Sequence, residues 1–290
     1  MNSRTLIVIV GCLAIAALGG FYFALGPHSN GSLVPPSPAP ASAPAASPPV
    51  APAPVTSAPA APPPAPAAAP PPIATAQSIE AEIARSEHAE LQALLKKNFP
   101  GEYNELIAVA VRRRNEGVSD VIFGQELAER FQAIMRGKLK YGVGASMPTI
   151  DRLAGNEASL FHALGTEGSA LCLKMLGKDD SPATTVTPES VRQLMRLGTL
   201  YRFQAIVEGM PSAKPVDALT TEEMRAFEAS LTREGLNYRD VSTGAYLNKG
   251  GAGPGRPCLT LETLHVAIAR LPDNTRRKIY AGMFFLGRDK

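Results

Sequence analysis

The chain has 290 residues, with 29 Lys and Arg against 26 Asp and Glu, 27 prolines, three cysteines and no tryptophan. A charge balance this close to zero excludes a broad electrostatic drive toward nucleic acid. The charges are unevenly placed, however, and the chain divides into three unlike parts.

Leu6 to Leu25 contains no charged side chain. As a helix rising about 1.5 Å per residue it would reach roughly 30 Å, the thickness of a bilayer's hydrocarbon core. Gly11, Gly19 and Gly20 are tolerated there, because lipid offers an opened backbone no partner. Phe21 and Tyr22 lie near the outer end, where aromatic rings favour the interface. Arg4 precedes the span, and the next charged residue after it is Glu80. The positive-inside rule then places residues 1–5 in the cytoplasm and everything beyond residue 25 on the far side. The expectation is a single-pass protein of the bacterial inner membrane, anchored in the bilayer through residues 6–25, with a periplasmic C-terminal domain. Two other fates of this segment stay open. Ile9-Val10-Gly11-Cys12 is similar to a lipidation site at Cys12, although the apolar run continues well past that cysteine. Ala14-Ile15-Ala16 and Ala24-Leu25-Gly26 are small-x-small cleavage sites, the second followed by Pro27, which opposes the peptidase.

Residues 26–76 form the second part. Positions 27–76 hold 18 of the 27 prolines, interleaved with Ala, Ser and Val, and no Asp, Glu, Lys or Arg. Such a segment has too few large apolar groups to offset the entropy of ordering it, so a disordered linker is expected. Runs such as Pro62-Pro63-Pro64 and Pro70-Pro71-Pro72 favour polyproline II. At about 3.1 Å per residue its fully extended reach is on the order of 150 Å. The spacer reading competes with a ligand for proline-reading modules, which are mainly cytoplasmic. The layout of anchor, proline-rich spacer and C-terminal domain resembles that of energy-transducing and wall-associated bacterial envelope proteins.

Residues 77–290 form the third part and carry all 26 acidic and 28 of the 29 basic residues. The pattern reads as all-α, an irregular bundle of about seven or eight helices. A segment over 78–98, rich in Glu, Ala, Leu and Lys, ends at Asn98-Phe99-Pro100-Gly101. Tyr103, Leu106, Ile107, Ala110 and Val111 recur at helical spacing, and Gly117 closes that helix. Leu127, Phe131, Ile134 and Met135 mark the next. Thr187-Pro188 reads as an N-cap with proline at the first helical position, before Val191, Leu194 and Tyr201. Thr220-Thr221-Glu222-Glu223 is a capping box ahead of Met224, Phe227 and Leu231, with Gly235 as terminator. Gly250-Gly251-Ala252-Gly253-Pro254-Gly255 interrupts the pattern; it is a surface loop or a lid, and it matches no phosphate-binding fingerprint. Leu261, Leu264, Ile268 and Leu271 follow as one stripe, and Ile279, Tyr280, Met283 and Leu286 as the last. Arg112-Arg113-Arg114 and Arg276-Arg277-Lys278 are local basic clusters, read as solvated helix faces or as contacts for anionic lipid or glycan.

Cys172 and Cys258 are the only thiols of this third part, and an oxidising compartment would join them. Free burial as two small apolar residues is the alternative. There is no C-x-x-C for redox chemistry, no H-E-x-x-H, no Cys/His cluster for a metal and no nucleophile motif. No cofactor is implied.

One stretch carries a resemblance to a known enzyme family. Glu157-Ala158-Ser159-Leu160-Phe161, followed by Gly165, Gly168 and Ser169, resembles the Glu-Ser-x-Phe…Gly region of lytic transglycosylases. That resemblance implies a helical wall-cleaving enzyme with Glu157 as general acid. Here Ser does not directly follow the glutamate, and the family's Gly-Leu-Met-Gln sequence is absent. The leading expectation is therefore a non-enzymatic interaction or scaffold domain of the bacterial envelope, which binds another protein or the cell wall. A wall-modifying enzyme using Glu157 is the alternative.

Overall fold

The computed structural model describes residues 73–166, 169–176, 187–213, 215–243 and 256–286. The expected membrane span over 6–25, all but the last residues of the expected linker, and the Gly250–Gly255 segment lie outside these residues. Among the described residues no helix is long and apolar enough to cross a membrane.

The described residues are all-α, with no strand among them. Four helices come first: α1 (Ala76–Ala84), α2 (Ala89–Asn98), α3 (Pro100–Asn115) and α4 (Asp120–Lys138). A 3-10 turn over Leu139–Gly144 leads to α5 (Met147–Thr166), followed by α6 (Ser169–Met175) and α7 (Glu189–Gly209). Then come α8 (Thr221–Arg233), α9 (Tyr238–Thr243), α10 (Arg256–Ala269) and α11 (Asp273–Phe284). The eleven described helices exceed the seven or eight expected, because several are short.

Local chemistry explains the boundaries. The expected segment over 78–98 is two helices. Ser86 breaks it: its hydroxyl donates to the Ile83 carbonyl at 2.8 Å and accepts from the His88 amide at 3.2 Å. A short polar side chain thus gives the backbone an alternative to continuing the helix. Thr75 and Ser78 form a capping box at the start of α1, and Thr220 with Glu223 forms the expected one at α8. Gly117 and Gly235 follow α3 and α8 at φ +70° and +74°, the left-handed conformation that glycine adopts without steric cost. The expected cap at Thr187 is corrected. Pro188 itself is the N-cap of α7, and the buried Thr187 hydroxyl makes no capping bond. Leu286 is likewise corrected, since it lies beyond α11 and is 38% exposed, whereas Phe284 and Phe285 are buried.

The architecture is organised around α5. It packs against α7 and α10, and also meets α6 and α11. Helices α1 to α4 pack mainly on one another, and α2 carries that layer onto α7. Phe203 of α7 joins the layers: its ring meets Phe99 edge-on at 5.6 Å and Phe131 at 6.4 Å. Edge-to-face aromatic contacts at such spacing add to simple area burial. The 3-10 turn approaches the end of α7 very closely. A Cβ on Gly209 would stand 2.0 Å from the Tyr141 carbonyl oxygen, and one on Gly144 would stand 2.5 Å from the Gly209 carbonyl. Only glycine fits either position.

Candidate functional site

On α5, Ile150, Leu153, Ala154, Glu157, Phe161 and Leu164 follow one another at helical spacing and are all buried. Glu157 therefore holds a position where an apolar side chain would be expected. On α7 the buried series Val191, Met195, Gly198, Ala205 and Ile206 frames Arg202 in the same way. The two charges meet inside the core: Arg202 Nη2 donates to Glu157 Oε1 at 2.5 Å, with the side chains 11% and 1% exposed. Burial pushes the Glu157 carboxyl above its ordinary value, and the charge and hydrogen bond of Arg202 oppose that shift. Glu157 Oε2 and Arg202 Nε are buried and meet no hydrogen-bonding group of the described protein. Beside this pair, Asn156 Nδ2 donates to the Leu194 carbonyl at 2.9 Å, a second polar link between α5 and α7.

A general acid must come within hydrogen-bond reach of the bond it cleaves. Open surface clefts occur at two places among the described residues that can be compared with Glu157. One, between α3 and α4, is lined by Arg112, Arg113, Glu126, Glu129, Arg130 and Ala133. The other, at the α8–α9 turn, is lined by Glu228, Thr232, Gly235, Leu236, Asn237 and Tyr238. Glu157 lines neither.

The sulfurs of Cys172 and Cys258 are joined as a disulfide, with a Cα–Cα distance of 6.0 Å and both residues fully buried. The bridge ties α6 to the first turn of α10. Two helical turns further, α10 carries His265, which is 2% exposed and enclosed by aromatic rings. Its centroid lies 5.8 Å from Phe161, 5.9 Å from Tyr280 and 6.1 Å from Phe284. Neither ring nitrogen meets a protein hydrogen-bonding group. Burial alone lowers its pKa to about 4.

The basic clusters are built into the fold. Arg276 Nη2 reaches Asp151 at 3.0 Å and Asp273 at 2.8 Å. Arg277 Nη1 donates to the Ala145 carbonyl at 2.5 Å, and Lys278 pairs with Glu223 at 2.8 Å. At the other cluster, Arg113 pairs with Glu126 and Glu116, and Arg114 pairs with Glu82 while its guanidinium lies 4.6 Å from the centre of the Phe123 ring. Arg112 alone of the three is largely exposed, at 61%.

Of the other histidines, His162 is exposed, with Nδ1 3.1 Å from Glu262, and His88 lies beside Glu87 at 3.8 Å. No three His, Cys, Asp or Glu residues converge on a metal-sized site among the described residues. Arg202 and the aromatic surroundings of His265 were not singled out by sequence reasoning. Both carried a signal: a polar side chain in the buried register of a helix.

No family model, curated protein or solved structure matches this chain.

Proposed function

We propose that residues 77–290 are an extracytoplasmic interaction or scaffold domain, held at the bacterial inner membrane by residues 6–25 and spaced from it by the linker over 26–76. The observation that carries this reading is the Cys172–Cys258 bridge. Structural disulfides form and persist in oxidising compartments, which agrees with the side of the membrane expected from Arg4 and the uncharged span. The partner class is an envelope protein or the cell wall, and no nucleic acid is involved. The burial of Glu157 against Arg202 supports binding over catalysis, because the carboxyl has no open approach among the described residues.

Crosslinking in intact cells, with the full chain as bait and mass spectrometry as readout, tests the proposal. Recurrent crosslinks from residues 77–290 to one envelope protein or to wall fragments support it. Crosslinks only to cytoplasmic proteins contradict it.

The wall-cleaving alternative is favoured by the burial of Glu157 in the core, which pushes its carboxyl above the ordinary value, as a general acid requires. Release of soluble wall fragments by the purified chain, abolished in Glu157→Gln, would establish it in place of the interaction reading.

A further inference from the structure

We propose that His265 is an acid-operated latch, whose protonation releases α11 from α5 and α10 while α10 itself stays in place. The geometry separates a fixed helix from a releasable one. The Cys172–Cys258 bridge holds α10 at its first turn, and near its end Ser230 Oγ of α8 donates to the Ala267 carbonyl at 2.8 Å. The corresponding holds on α11 are non-covalent. They are the stack of Tyr280 and Phe284 against His265, the core burial of Ile279 and Met283, and the polar contacts of Arg276, Arg277 and Lys278. The imidazole sits between these groups with no protein acceptor for a second N–H. A charged ring at that point needs water, and the way to water is for α11 to lift. Tyr280 and Phe284 are themselves stacked at 5.2 Å and would leave together.

Several titratable groups around α10 are paired among themselves. On α5, Asp151 pairs with Arg276, Glu157 with Arg202, and His162 with Glu262 of α10. Glu234 after α8 pairs with Arg270 at the end of α10. Elsewhere on α8, Glu223 pairs with Lys278. Tyr280, facing the ring from α11, has its pKa raised, first by burial, and stays neutral in acid. Glu223, which holds Lys278, is kept below the ordinary carboxylate value and so stays charged in mild acid. Between neutrality and about pH 5, His265 is therefore the group that drives release.

With the closed-state pKa near 4 and the exposed value near 6.5, the opening equilibrium rises about 20-fold between pH 7 and pH 5. Hydrogen exchange of the full chain, read by mass spectrometry and corrected for intrinsic rates, measures it. The expected result is a loss of protection of that order over 273–286 between those two pH values, with α10 and α8 unchanged. His265→Phe keeps the aromatic packing and should abolish the step, and Asp151→Asn should leave it in place. If His265→Phe does not fold, His265→Gln serves, since it too cannot be protonated. Unchanged protection of α11 in the wild type overturns the proposal. So does an equal loss in the histidine variant, or loss of protection spread over the whole domain.

Discussion

Arg202 Nη2 donates to Glu157 Oε1 at 2.5 Å in the core between α5 and α7, where both helices otherwise present apolar side chains. Removing one member leaves the other as an uncompensated buried charge. Arg202→Met is expected to destabilise the domain by about 3 kcal/mol in urea unfolding at neutral pH. The double change Glu157→Leu with Arg202→Met is expected to recover most of that, because a packed apolar pair carries no desolvation cost. If the double variant is no more stable than Arg202→Met, the pair is held by contacts that its burial does not account for.

The disulfide is expected to contribute more than any single packing contact. It spans a sequence separation of 86 residues, for which loop-closure entropy gives about 4–5 kcal/mol. Cys172→Ser should lower the urea midpoint accordingly, and adding reductant to the wild type should mimic it only after unfolding, since both cysteines are fully buried. Rapid reduction of the folded protein would contradict that burial.

Helix α7 ends against the 3-10 turn at glycine contacts that leave no room for a methyl group. Gly209→Ala is expected to cost on the order of 3 kcal/mol, because the Cβ would meet a backbone carbonyl rather than a side chain that could move. Gly137→Ala, at a position where a Cβ meets nothing within 4 Å, is the matched control and should be neutral or mildly stabilising. Thermal unfolding of the two variants side by side measures the difference.

Glu223 links the start of α8 to α11. Its carboxylate accepts from the Thr220 amide at 2.7 Å, from Asn274 at 2.8 Å and from Lys278 at 2.8 Å. Burial pushes the carboxyl up, but Lys278 and the Thr220 backbone outweigh it, so its pKa lies below the ordinary 4.5. A depressed folded pKa gives stability that is present above 4.5 and lost as pH falls through the folded value. Glu223→Ala should cost about 2 kcal/mol at neutral pH, with the difference from wild type shrinking in strong acid. A difference that does not vary with pH would contradict the assignment.

What the sequence made legible follows from how each helix is covered. Helix α8 rests one face on the core and shows the other to water, so its stripe, its capping box at Thr220 and its stop at Gly235 were all readable. Helix α5 is covered on several sides by α7, α10, α6 and α11. Its stripe of Ile150, Leu153, Ala154, Phe161 and Leu164 is interrupted in register by the charged Glu157 and widened by the buried Leu160 and Ala163. The bridge between Cys172 and Cys258 could be expected from the compartment that the uncharged span suggests and from elimination. The charge in the core could not, because Glu157 and Arg202 are 45 residues apart and only the packing of α5 on α7 brings them together. Similarly, His265 borders a stripe in the sequence, but α11 folding back over it is what encloses the ring.

Residues 77–290 are proposed to acquire their fold outside the cytoplasm, and the thiol state in living cells tests that directly. Cells expressing the full chain are quenched with a membrane-permeant alkylating reagent, denatured without reductant and analysed by peptide mass spectrometry. The prediction is that Cys172 and Cys258 are recovered as one crosslinked peptide pair and carry no label. Recovery of both cysteines as separate, fully alkylated peptides would contradict it.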